Sequence, residues 1–122
     1  NKILKILSNS KNILKIWYPG NFENKKQFKR FKKYMINGGS VITFETKNLN
    51  SINIMPRLKT IKMAPSFGSI DTLIEWPYFM SYFKQPKKIL RKLNIKRNLV
   101  RISVGCENIN LLSKDIEKII KG

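Results

Sequence analysis

The sequence predicts an α+β fold: a small mixed, mostly antiparallel sheet covered by helices. Short runs rich in β-branched and aromatic residues recur along the chain and read as strands. Stretches with apolar residues at helical spacing lie at both ends and between those runs. From Ser40 onward the connections are too short for a series of right-handed βαβ crossovers, which leaves antiparallel neighbours as the main pairing. One sheet with helices on a face fits this pattern better than a bundle or a sandwich.

Taken in order, Lys2–Leu7 carries Ile3, Leu4, Ile6 and Leu7 and reads as the end of a helix, broken by Ser8-Asn9-Ser10. Asn12–Tyr18 is a predicted strand with Ile16 and Tyr18 on one side and Trp17 on the other, ended by Pro19-Gly20. Glu23–Ile36 is a predicted helix: Phe28, Phe31 and Met35 fall at helical spacing, and lysines and Arg30 cover the remaining faces. Asn37-Gly38-Gly39 stops it, and Ser40–Thr46 alternates as a strand. Pro56 interrupts Leu49–Leu58, which reads as a short helix or an irregular connection. Lys59–Ala64 is a short strand into the turn Pro65-Ser66-Phe67-Gly68, and Thr72–Trp76 is a strand closed by Pro77. Lys87–Leu93 follows Pro86 as a short helix, and Asn98–Gly105 is a strand. Asn108–Lys121 is an amphipathic helix with Ile109, Leu112, Ile116 and Ile119 in one stripe, Asn108 as N-cap and Gly122 past its end.

At 122 residues the chain is expected to be a single domain over 1–122, with one core. Its apolar runs fall short of the roughly 18–20 residues of a membrane span, so no membrane association is expected. No signal peptide or presequence is visible, and the initial Asn fits a fragment or a processed chain. Cys106 is the only cysteine, which excludes internal disulfides and cysteine-rich metal sites and points to a reducing compartment. Placed after Gly105 at a strand end, it is expected as a small buried hydrophobe. The absence of histidine removes Ser-His-Asp and Cys-His catalysis and the usual general base near neutral pH; no metal site is expected.

The 25 Lys and Arg against 7 Asp and Glu give a net charge of +18, a balance that suits a polyanion partner. The lysines are spread along the chain, however, and accompany many Ile and Asn, the residues of A+T-rich codons. Codon bias accounts for much of the charge, so nucleic acid is not the expected partner, and a small basic nucleic-acid-binding domain stands as the rival from another class. The dense run from Lys25 to Lys33 is expected as a solvated helix face. Trp76, Tyr78 and Tyr82 could stack on bases, but an aromatic cluster around Pro77 is the simpler expectation.

One charge stands out. In the strand Asn98–Gly105, Val100, Ile102 and Val104 point one way, while Leu99, Arg101 and Ser103 point the other. An arginine in an otherwise apolar strand is costly without an anionic partner, and its planar fork of donors suits a carboxylate. Two kinds of partner fit equally: a ligand from outside, or one of the chain's own acids such as Glu75 or Glu107. Ser66, between Pro65 and Phe67 and just before Gly68, puts a hydroxyl on a turn whose glycine lets backbone approach a ligand closely. Ser8-Asn9-Ser10-Lys11 matches a serine–lysine pattern formally, but it lies in a loop without companion motifs and is taken as chance.

The segments Ala64-Pro65-Ser66-Phe67-Gly68, Leu73-Ile74-Glu75-Trp76-Pro77 and Met80-Ser81-Tyr82 resemble the C-terminal domain of the Cys/Met-metabolism pyridoxal-phosphate enzymes. So do the run Asn98–Asn108, Trp17-Tyr18-Pro19-Gly20 and Gly38–Glu45, in the same order and spacing over nearly the whole chain. Within the family, the Pro-Ser-Phe-Gly and Met-Ser-Tyr wording is most similar to the plant-type cystathionine gamma-synthase branch. The resemblance implies the C-terminal domain of a fold-type I enzyme packed against a larger domain that holds pyridoxal 5'-phosphate and the Schiff-base lysine. No catalytic residue is then expected in this chain, and Lys11 is not that lysine. Arg101 would bind the substrate α-carboxylate and Ser66 would help place the substrate, with Pro65, Phe67 and Gly68 shaping the site. The implied reaction is γ-replacement, in which cysteine joins an activated homoserine ester to give cystathionine; a cystathionine lyase or acylhomoserine sulfhydrylase is the alternative. A cytoplasmic homo-oligomer is implied, or one in an organelle stroma for a plant-type enzyme. Three departures stand against the family pattern: Ser69 replaces a second glycine, Lys47–Lys59 is short and carries Pro56, and the Schiff-base motif is absent.

Overall fold

The computed structural model describes residues 2–21, 25–47 and 49–121. Along the chain run α1 (Lys2–Ser8), β1 (Ile13–Trp17), α2 (Lys25–Tyr34), β2 (Val41–Thr46) and α3 (Ser51–Ile54), the last continuing into a 3-10 turn at Met55–Arg57. Then come β3 (Lys62–Met63), β4 (Leu73–Glu75), α4 (Lys87–Lys92), β5 (Leu99–Ser103) and α5 (Ile109–Lys121). The strands form one sheet of five in the order β1-β2-β5-β4-β3. β1–β2, β2–β5 and β5–β4 pair antiparallel and β3–β4 parallel, so the mixed, mostly antiparallel α+β fold expected from the sequence is the fold observed.

Register separates the two faces. On one, Phe44 lies opposite Val100, and Ile42 and Ile74 flank Ile102; all are buried. Ile3 and Leu7 of α1, Met55, and Leu112, Ile116, Ile119 and Ile120 of α5 close over them as one core. Asn108 caps α5 by accepting from the Asn110 backbone N–H at 2.9 Å, as expected, and Asp115 reaches across to accept from the Thr60 N–H at 2.7 Å. On the other face, Trp17, Thr43, Arg101 and Glu75 stand in one row across four strands.

The parallel pairing of β3 with β4 shapes that second face. A parallel neighbour needs a crossover, usually a helix, and here the short segment Ala64–Thr72 makes the return itself. It is strapped to β5 and the residues after it. The Gly68 N–H donates to Ser103 Oγ at 3.2 Å, Cys106 N–H to the Ile70 carbonyl at 2.8 Å, and Gly105 N–H to Thr72 Oγ1 at 2.8 Å. The last of these straps requires glycine, because a Cβ on Gly105 would lie 2.3 Å from the Ile70 carbonyl oxygen.

Several expectations are corrected. α2 buries no residue: Phe28 stacks on Phe31 at 6.3 Å outside the core, so its aromatic stripe is a surface feature. Cys106 is exposed, since β5 ends at Ser103 and the turn directs the thiol outward. Ile109 sits in the first turn of α5 and is exposed, and Ile120 joins the buried stripe in its place. The strand expected over Lys59–Ala64 shrinks to the pair Lys62–Met63. Glu23 and Gly122, the expected start of α2 and stop of α5, lie outside the described residues.

Candidate functional site

Arg101 sits in the middle of β5, directly opposite Glu75 of β4 and Thr43 of β2. Strand alternation turns its side chain away from the core while its neighbours Val100 and Ile102 are fully buried. Its Nη2 lies 2.5 Å from Glu75 Oε2, and its side chain is 27% accessible against 2% for Glu75. Of the partners foreseen for this arginine, the chain's own Glu75 is therefore in contact with it. Glu107 is engaged elsewhere, accepting from the Thr72 N–H at 2.5 Å and the Thr72 hydroxyl at 2.7 Å.

The contact with Glu75 does not saturate the guanidinium. Arg101 Nη2 pairs with Glu75 Oε2, and a guanidinium carries five N–H donors, more than one carboxylate can take. The other carboxylate oxygen, Oε1, accepts from the Ser81 hydroxyl. Above the guanidinium lies the ring of Phe67, its centroid 5.4 Å from Arg101 Cζ. Arg101 is thus held between an acid at its side and a ring on its face, with 27% of its side chain left accessible.

The loop brings the other sequence-predicted residues near this cation to different degrees. Phe67 touches Arg101, and Gly68 is bonded to Ser103, the residue two along on the same face. Gly68 adopts φ +75° with open space around it, so backbone conformation and not crowding calls for glycine there. Pro65 and Ser66 are exposed, and Ser66 lies one residue from the Phe67 ring with its hydroxyl unpaired among the described residues. Glu75 as the arginine's partner was one of two acids foreseen; Ser81 was not singled out, and only its spacing of six residues from Glu75 across the Pro77 turn could have signalled it.

Trp76 is fully buried, donates its indole N–H to the Arg97 carbonyl, and meets Phe79 edge-on at 6.1 Å. Tyr78 joins at 5.0 Å from Phe79 and carries the Arg97 guanidinium over its ring, so this cluster packs the chain after β4 instead of presenting rings for bases. Clefts of about 670 and 450 Å³ run along α1, β1 and α2, and neither is lined by Arg101 or Ser66.

The face also bears on a pyridoxal cofactor. Such a group needs an imine-forming lysine and donors for its phosphate. The lysines on this face are engaged: Lys96 Nζ is 2.7 Å from Glu45, and Lys15 lies over the Trp17 ring at 5.1 Å. The described residues beside Arg101 therefore do not make a complete cofactor cradle, and what they offer is a single well-held cation suited to a small carboxylate.

Residues 1–121 match the family described as Cys/Met metabolism PLP-dependent enzyme. The chain is 32% identical over 121 residues to a cystathionine beta-lyase of Lactococcus lactis subsp. cremoris, covering 98% of this chain and 32% of that protein. It is 31% identical over 117 residues to the chloroplastic cystathionine gamma-synthase 1 of Arabidopsis thaliana, covering 94% of this chain and 21% of that one. Among solved structures, a cystathionine gamma-lyase from Lactobacillus plantarum in complex with L-serine superposes with a TM-score of 0.87 at 33% identity. That match covers 98% of this chain and 32% of the solved one, so the chain spans about a third or less of the length of these relatives.

Proposed function

The chain belongs to the Cys/Met-metabolism PLP-dependent enzyme family, and from that premise we propose that it is the C-terminal, substrate-binding domain of such an enzyme, with Arg101 as the ligand of the amino-acid α-carboxylate. The observation that carries this reading is a partly accessible guanidinium, flanked by Glu75 and Phe67, that has more N–H donors than one acid can take. Phe67 and Ile70, large apolar side chains exposed on the site loop, support a further domain covering this loop.

Pyridoxal phosphate, if bound on that further domain, would supply the electron sink for the reaction. This chain's part is to bind and orient. Arg101 grips the carboxylate end, Ser66 on the adjoining loop offers a hydroxyl toward the same substrate, and Pro65, Phe67 and Gly68 set the loop's course. The wording of the loop favours γ-replacement, joining cysteine to an activated homoserine ester. Cleavage of cystathionine is the second reading, favoured by the similarity to a cystathionine beta-lyase at 32% identity.

Kinetics of the full enzyme test both points. Arg101→Ala is expected to lower kcat/KM by the equivalent of about 2–5 kcal/mol, the scale of losing one partner of a desolvated charge pair, while the absorbance of the bound pyridoxal imine persists. Unchanged kinetics would remove Arg101 from the site. Supplying homoserine ester with cysteine, and separately cystathionine, separates the reactions by whether cystathionine is formed or consumed.

A further inference from the structure

Glu75 is the least explained residue near the site. It is a carboxylate buried to within 1% of full exclusion, in a strand whose neighbours Leu73 and Ile74 are core residues. A buried acid is costly unless its oxygens are matched. Here one oxygen accepts from the Ser81 hydroxyl and the other lies 2.5 Å from Arg101 Nη2. Ser81 stands after the turn Pro77–Met80, which is folded back by the Phe79 and Met80 N–H groups donating to the Trp76 carbonyl at 3.0 and 3.1 Å. The Trp76 N–H in turn contacts Met80 Sδ at 3.3 Å, and the buried indole anchors the whole turn. The serine is thus set by a rigid turn, the glutamate by the serine, and the arginine by the glutamate.

We infer that Glu75 and Ser81 are positioning residues that aim the Arg101 guanidinium at the substrate carboxylate, setting affinity for that carboxylate. The inference rests on the reading of Arg101 as the carboxylate ligand. An unrestrained arginine side chain must be ordered as the ligand binds, and one already fixed by an acid and a ring binds with less loss of freedom. Because one carboxylate cannot take all five guanidinium donors, Glu75 holds Arg101 with donors left for a second carboxylate. Glu75 also competes for Arg101 electrostatically, so removing the serine, which changes no charge, isolates the positioning effect.

The test compares, in the holoenzyme, an amino-acid substrate with its α-carboxamide, which lacks the charge Arg101 would hold. Ser81→Ala is expected to raise KM for the carboxylate form by roughly tenfold, the scale of losing a hydrogen bond to a charged group, with kcat little changed and the carboxamide unaffected. Glu75→Gln, which removes the positioning contact together with the competing charge, is expected to lower the preference for the carboxylate less than Ser81→Ala does, and Ser81→Thr, which keeps the hydroxyl, to restore it. If Glu75→Gln does not fold, the Ser81 variants alone decide. Equal loss on both substrates, or no loss on either, would overturn the inference. The reading beneath it is tested separately: Arg101→Ala should abolish the preference for carboxylate over carboxamide. Should that preference vanish in Arg101→Ala yet stay at the wild-type ratio in the Ser81 and Glu75 variants, the positioning role fails while the ligand role stands; should Arg101→Ala leave it intact, both fail.

Discussion

Among the described residues, the fold lowers the pKa of Glu107 and of Asp115. Burial works against the charge of Glu107, but the backbone and side-chain hydrogen bonds of Thr72 outweigh it and hold its carboxyl below the ordinary range. For Asp115, burial is likewise overcome by the Thr60 N–H, the Lys118 ammonium and the Ile61 N–H, again giving a lowered pKa. In both cases the folded state binds fewer protons than the unfolded state at mildly acidic pH. Their contribution is therefore present above the unfolded values, near 4.5 and 3.8, and is lost as pH falls through the lower folded values. Urea unfolding followed from pH 7 down to about pH 3 should show stability falling only on the acid limb, and Glu107→Gln and Asp115→Asn should each flatten that limb. An unchanged acid limb in both variants would contradict these assignments. At Gly68, whose φ is +75°, alanine should cost about 1–2 kcal/mol for the left-handed backbone alone, and should weaken substrate binding through displacement of Phe67 from Arg101. A Gly68→Ala protein with wild-type stability and KM would show that the loop's course does not matter. Ser66→Ala should cost less than Arg101→Ala, because its hydroxyl has no fixed partner holding it toward the arginine.

At the scale of elements, α5 and α2 make opposite predictions. α5 lays Leu112, Ile116 and Ile119 on the sheet, all fully or almost fully buried, so Ile116→Ala should destabilise by about 2–5 kcal/mol in chemical unfolding. α2 buries nothing, so Lys29→Glu or Lys33→Glu should stay within about 0.5 kcal/mol of the parent in the same measurement. The contrast also explains what was legible beforehand. Alternation and helical spacing located nearly every element, because burial of one face leaves a periodic mark. They placed Arg101 and its face through the same alternation. Phe28, Phe31 and Met35 carry the same mark in α2 without being in the core, since periodicity reports an apolar face and not what covers it. The parallel pairing of β3 and β4 left no such trace: two residues make β3, and its register depends on the straps at Ser103, Gly105 and Cys106 that no local pattern announces. Alternation likewise turned Glu75 toward Arg101's face, but choosing it over Glu107 required knowing that β4 and β5 are neighbours, a long-range pairing.

For the molecule as a whole, the charge of +18 and the sheet face around Arg101 suggest different partners. Apart from the run on α2 the lysines are dispersed along the chain, and the aromatic cluster of Trp76, Tyr78 and Phe79 is used for packing and not for base stacking. Any association with nucleic acid should therefore be weak at physiological salt and collapse steeply as salt rises, as counterion release dictates; binding that survives high salt would favour the rival reading. No described helix is long and apolar enough to cross a membrane. The most direct test of the central claim is a structure of the full enzyme with an amino-acid substrate bound. The expected result is an α-carboxylate oxygen within about 3 Å of the Arg101 guanidinium, with Glu75 still at its side and the Phe67 ring over it. A substrate carboxylate resting on another cation, with Arg101 meeting only Glu75, would contradict the account.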